Sequence, residues 1–155
     1  MSKKAFRHIA FLTLMVGALL AACTRNDGDI GSKFGEWKLT AMTIDGQENP
    51  AYARNIFWGF QSGSMSFRLV TYVEGIPEYN ETFAQWSESD GYIVLDTDYS
   101  DDQGTFRYSP PEVLLIPWQT SGIRLKIISE TSSYMVLEYA AADGSAIRYH
   151  LQKWG

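Results

Sequence analysis

Few residues in this chain are equipped for chemistry. The 155 residues include two histidines, His8 and His150, and one cysteine, Cys23. One thiol cannot form a disulfide within the chain, and a thiolate metal site takes several such ligands. Carboxylates are more numerous, and Asp96, Asp98, Asp101 and Asp102 crowd one stretch in a way that invites calcium. A helix-loop-helix calcium loop, however, needs glycine at its sixth position and a bidentate glutamate at its twelfth. Counted from Asp96, those positions hold Asp101 and Arg107, so the stretch reads as a solvated acidic loop. Neither a Gly-x-Ser-x-Gly elbow nor a phosphate-cradling glycine loop occurs. His150 lies in an alternating segment, where it reads as a surface or edge residue rather than a base. The expectation is a protein that is not an enzyme, with no catalytic residue, metal ligand or cofactor. Contact chemistry remains: Trp58, Trp86, Trp118 and Tyr99 pair an apolar body with a polar handle, which suits a small ligand, a sugar or a protein surface. Core packing competes with that reading for each tryptophan. Trp118 is the first choice for an exposed contact, because Pro117 precedes it and Gln119-Thr120-Ser121-Gly122 follows.

The elements that must position these residues begin with a leader. Lys3, Lys4 and Arg7 precede an apolar run from Ile9 to Ala22, which is too short for a stable membrane span of about 20 residues. A basic start, a short apolar core and small residues at its end form a secretory signal. Its last residues, Leu20-Ala21-Ala22-Cys23, resemble a lipobox, in which the cysteine becomes the first mature residue and is lipidated. The resemblance implies a bacterial lipoprotein with a signal peptide at 1–22, a lipidated Cys23 and tether at 23–34, and a folded domain at 35–155. Several acyl chains hold where one chain holds weakly. Thr24 stands where aspartate would retain an enteric lipoprotein at the inner membrane, which implies outer-membrane delivery, periplasmic or surface-facing. Asp27 and Asp29 look faintly like the acidic export tag of Bacteroidetes lipoproteins; equally, residues 24–29 read as a flexible tether rich in turn formers.

Charge narrows the partners. The chain carries 13 basic and 18 acidic residues, and loss of Lys3, Lys4 and Arg7 with the leader leaves 10 against 18, a net charge of −8. Nucleic acid needs a basic stripe to neutralise phosphate, and an anionic lipid surface needs one too. Neither partner is expected; the membrane is reached through the anchor.

Beyond the tether, turn signals arrive about every 10 residues, and the segments between them alternate and favour aromatic and β-branched residues. About eight strands are expected from segments at 36–43, 56–61, 65–73, 79–86, 92–97, 105–108, 112–116, 123–129, 134–140 and 146–153, with Pro110-Pro111 interrupting before 112–116. Met65, Phe67, Leu69 and Val73 share one phase and Ser66 and Arg68 the other, so one face is buried. Asp90-Gly91 and Asp143-Gly144 mark tight hairpins. A sandwich or a closed up-and-down barrel satisfies this pattern, and closure removes exposed edges.

Gly35-Glu36-Trp37 on the opening strand, with a cation on the last strand, resembles the lipocalin family. The Ile56-Phe57-Trp58-Gly59-Phe60 segment and the terminal Leu151-Gln152-Lys153-Trp154 look like the lipocalin-like lipoproteins of Bacteroidetes. The resemblance implies an all-β, single small antiparallel up-and-down barrel of about eight strands, with Trp37 plugging one end. Arg148 is the first candidate for the cation across its ring, and Lys153 the second. Alternation then turns Trp37, Leu39, Trp58, Phe60, Phe67, Leu69, Phe83, Ile93, Leu95, Leu125, Ile127, Met135, Leu137, Tyr149 and Leu151 inward. An eight-stranded barrel is either filled by side chains or holds one small ligand. Two functions follow: binding of a small hydrophobic or amphipathic molecule in the barrel, or a non-enzymatic interaction or scaffold module of the envelope that contacts a protein or glycan through Trp118 and the Tyr99 loop.

Overall fold

The computed structural model describes residues 31–97, 109–118 and 121–155. Cys23, the tether up to residue 30, Tyr99, Asp98, Asp101, Asp102 and the strand expected at 105–108 lie outside the described residues. Within them the chain forms β1 (Gly35–Ile44), β2 (Gln47–Glu48), β3 (Ile56–Phe60), β4 (Ser64–Val73), β5 (Ile76–Ser89), β6 (Tyr92–Asp96), β7 (Ser121–Glu130), β8 (Tyr134–Ala140) and β9 (Ala146–Trp154). Every pairing is antiparallel, and each strand from β3 onward pairs with the next. β1 pairs with β3 along Gly35–Lys38 and with β9 along Glu36–Ile44, so the sheet closes on itself. Eight strands make the ring, and β2 is a two-residue addition to the far end of β1. The fold is therefore the all-β, up-and-down closed sheet; of the two forms that the turn spacing allows, it is the one that the lipocalin resemblance implies.

Tight turns set the registers. Asp90 and Gly91 have φ of 53° and 77°, and Glu74 and Gly75 have 51° and 82°; two successive positive values match the right-handed twist of the flanking strands. The near end of the barrel, where the chain enters at Gly31, also carries the turns at 61–63, 90–91 and 131–133. The far end carries the connections 45–55, 74–75 and 141–145, and β6 ends and β7 begins there.

The interior is dense with large side chains. Trp37, Trp58, Tyr149, Phe60 and Phe67 are fully buried, together with Leu39, Met42, Ile56, Met65, Ile93 and Leu95. Nearly all the residues expected inward are there, and Leu69 and Ile127 pack against this core from partly buried positions. Phe83 is the exception. Cross-strand partners share a face, and Phe67 faces Thr82 while Ser66 faces Phe83. Thr82 and Ala84 are thus the inward residues of β5, small where Trp58, Phe60 and Phe67 fill the space, and Phe83 is 40% exposed.

Residues 112–116 also depart from expectation. Instead of a strand, Glu112–Leu114 form one turn of 3-10 helix, ended by Leu115 in the left-handed region at φ 54°. Pro110 and Pro111 lack backbone donors and cannot extend a ladder. The alternation of Leu114 and Ile116 is real, but it serves burial in the barrel rather than pairing.

Candidate functional site

The near end is closed by polar contacts that fix geometry. Gly31–Lys33 make one 3-10 turn across it. Trp37 Nε1 donates to the Lys33 carbonyl at 2.9 Å. The Lys33 ammonium, buried, lies 2.6 Å from Glu130 and 2.9 Å from Glu88, and Ser32 Oγ donates to Glu130 at 2.8 Å. Burial works against the Lys33 charge, but hydrogen bonds to Glu130 and Glu88 and their negative charges outweigh it and raise its pKa.

The cation across Trp37 is Lys153, not Arg148. Lys153 Nζ lies 4.6 Å from the ring centroid and donates to the carbonyls of Ser32, at 3.0 Å, and Phe34. Tyr149 and Leu151 point inward, so Lys153 is in phase with the interior and stands directly opposite Trp37, whereas Arg148 faces out opposite Thr43. Arg148 Nε instead donates to Glu138 at 2.7 Å on the outer wall.

Inside the barrel, Trp58 on β3 meets Phe67 edge-on at 4.9 Å and Tyr149 at 5.0 Å between ring centroids. Trp58 Nε1 is buried without a hydrogen-bond partner. Tyr149 Oη donates to the Leu114 carbonyl at 2.7 Å, and burial, with the Tyr139 charge adding to it, holds the Tyr149 hydroxyl well above its usual pKa. It is a neutral donor at any physiological pH.

That hydrogen bond anchors the far-end closure. Pro110, Pro111, Leu114 and Ile116 are buried, Leu115 points out, and Leu114 and Ile116 belong to the same apolar cluster as Tyr149. Backbone bonds from Leu114 N–H to the Pro111 carbonyl and from Leu115 N–H to the Glu112 carbonyl stay within the segment. Residues 110–116 thus plug the mouth with hydrocarbon.

The tryptophans singled out by sequence are dispersed. Trp58 is inside. Trp86 is half-buried toward the near end, with its Nε1 donating to the Gln61 carbonyl at 2.8 Å and its ring edge-on to Phe60. Trp118 is 48% exposed beside the plug. Pro117 also borders an open groove of about 600 Å³ that descends the outer wall past Ile123 and Arg124 to Tyr92. His150 has its Nδ1 2.7 Å from Tyr134 Oη; burial, then the Arg148 charge, lowers its pKa. Among the described residues, no group of three or more His, Cys, Asp and Glu could hold a metal ion.

Three features escape a reading by local pattern: the Lys33 cluster, the plug, and the tip of the β4–β5 hairpin, where Tyr72, Ile76 and Tyr79 are each more than 60% exposed. The turn is confined to Glu74-Gly75, so pairing runs right up to Val73 opposite Ile76, and β5 starts three residues before the expected 79. The Lys33 cluster joins residues about 97 apart, which no local pattern reveals.

The fold is similar to that of solved structures. A lipocalin-like protein from Bacteroides uniformis superposes with a TM-score of 0.55 at 20% identity, covering 80% of this chain and 100% of that one. An uncharacterized protein from Bacteroides eggerthii matches at 0.55 and 19%, covering 79% and 99%. No family model matches the chain, and no curated protein matches its sequence. The chain has a lipocalin-like fold, as Gly35-Glu36-Trp37 and the strand cadence led one to expect.

Proposed function

We propose that this chain is an envelope lipoprotein, lipidated at Cys23 after loss of residues 1–22 and carried to the outer membrane, whose barrel binds one small hydrophobic or amphipathic molecule and performs no reaction on it. The observation that supports binding is the far-end plug. Leu114 and Ile116 are apolar guests in an apolar mouth, and among the described residues the polar hold on them is a hydrogen bond from Tyr149 to the Leu114 carbonyl. Apolar burial is non-directional, so a ligand of similar hydrocarbon surface can take their place.

Titration of residues 24–155 with the neutral fluorophore N-phenyl-1-naphthylamine tests this. One saturable, blue-shifted site is expected; absence of saturable binding up to the probe's solubility limit removes the proposal. For the anchor, Cys23→Ser expressed in a bacterial host should move the protein from the membrane to the soluble fraction, and unchanged partition overturns it.

The hairpin favours a second reading, an interaction module. Val70 pairs with Tyr79 and Tyr72 with Pro77 on one outward face beyond the ring, and apolar surface grouped in this way marks contact sites. Tyr72→Ser with Tyr79→Ser should then abolish crosslinks to an envelope partner while probe binding persists. Unchanged crosslinks count against it.

A further inference from the structure

Among the described residues, three buried side-chain polar atoms have no hydrogen-bond partner: Thr43 Oγ1, Arg68 Nε and Trp58 Nε1. Thr43 and Arg68 belong to the outward phase of β1 and β4, flanked by the inward Met42, Phe67 and Leu69. Trp58 is different, because its ring is wholly inside the barrel. An indole N–H is a donor and nothing else, and a buried donor left unmatched is rare and costly. It stands beside the buried Tyr149, at 5.0 Å between ring centroids. Tyr149 spends its own proton on Leu114 of the plug.

From this juxtaposition we infer that Trp58 Nε1 and Tyr149 Oη form a paired donor site for the acceptor oxygen of a neutral apolar ligand. A ketone, ester or ether oxygen satisfies Trp58 and replaces the Leu114 carbonyl on Tyr149 as the plug withdraws. The inference rests on the binding reading above and adds the ligand's chemistry to it. Neutrality follows from the surroundings. The buried cation, Lys33, is at the near end and already serves Glu88 and Glu130. A carboxylate or phosphate inside would lie among apolar side chains without a countercharge, at high desolvation cost.

The test is a cycle of two ligands and two proteins. Octan-2-one and n-octane compete with N-phenyl-1-naphthylamine for wild type and for Trp58→Phe, in sealed cells. The ratio of the two ligands in one protein contains their different solubility in water, but its change between proteins does not. Octan-2-one should bind about tenfold more weakly to Trp58→Phe, the scale of one unmade hydrogen bond, while n-octane changes less than twofold. In wild type, octan-2-one should also move the Trp58 indole N–H resonance downfield, and n-octane should leave it in place; this second readout needs no variant. If both ligands bind but the ratio is the same in the two proteins and the N–H resonance answers neither, the donor site is overturned while ligand binding stands. If neither the fluorophore nor either ligand binds wild type, the binding reading fails and takes this inference with it.

Discussion

Both ends of the barrel are closed by a piece of the chain itself, but by opposite means. At the near end, Gly31–Phe34 are held by ion pairs and hydrogen bonds from Trp37, Lys33, Ser32 and Lys153, each of which demands a particular geometry. At the far end, residues 110–116 are held by buried hydrocarbon and, among the described residues, by a hydrogen bond from Tyr149. Directional contacts specify one occupant, whereas apolar burial accepts any surface of suitable shape. The near end therefore has the character of architecture, and the binding proposal makes the far end the place where a ligand would exchange with the plug.

The largest effect belongs to the architectural end. Trp37→Ala should destabilise the protein by about 3 to 5 kcal/mol, read by urea unfolding, because it empties the base of the core and releases the donor to Lys33. A loss under about 1 kcal/mol would remove the distinction between the ends. Lys33→Met should cost about 1 to 2 kcal/mol: a buried pair broken on one side is expensive, but Glu88 is largely exposed and solvent screens it. The pKa of Lys33 is raised on folding, so its contribution is complete below the unfolded value near 10.5 and is lost as pH rises through the higher folded value. The stability gap between wild type and Lys33→Met should accordingly be flat through neutral pH and shrink above about pH 10.5; a gap that grows there contradicts the ion cluster.

These two ends also divide what sequence reveals. Strand positions, the Asp90-Gly91 hairpin and the inward file through Trp37, Trp58, Phe67, Tyr149 and Leu151 follow from alternation, because a strand's period of two is local information. Phe83 was misplaced for the same reason that the others were placed: its strand alternates in either phase, and only the pairing of Phe67 with Thr82 decides which face is buried. The plug was hidden because Leu114 and Ile116 alternate as a strand would, and the partner that reveals their role, Tyr149, is 35 residues away. Of the candidate contacts, Trp58 was legible as an interior residue, but its unmatched N–H is a property of three-dimensional packing alone.

A smaller effect tests the exchange site. Leu114 is fully buried, and Leu→Ala in a core ordinarily costs about 2 to 5 kcal/mol. If the plug opens while the rest of the barrel stays folded, as the binding proposal requires, the loss cannot exceed the free energy of that opening. Leu114→Ala should cost about 1 kcal/mol by that local limit, and should bind N-phenyl-1-naphthylamine more tightly. A full core-sized loss with no gain in affinity makes the plug part of the core.

The smallest effect concerns the two cations of β9, and it isolates the phase of the strand. Lys153 covers Trp37 and reaches two backbone carbonyls, so Lys153→Met should cost about 0.5 to 1 kcal/mol, the scale of an accessible cation-π contact. Arg148 contributes an outer-wall pair with Glu138, and Arg148→Met should cost under about 0.5 kcal/mol, as exposed ion pairs do. The two positions differ by five residues, an odd number, so they must face opposite sides of an unbulged strand. Tyr149 and Leu151 already assign the inward side to odd numbers in β9. If Arg148→Met proves the more damaging, the strand is out of phase with its own core and the near-end closure is wrongly built; if Lys153→Met does, parity alone has identified the residue that ties the last strand to the first.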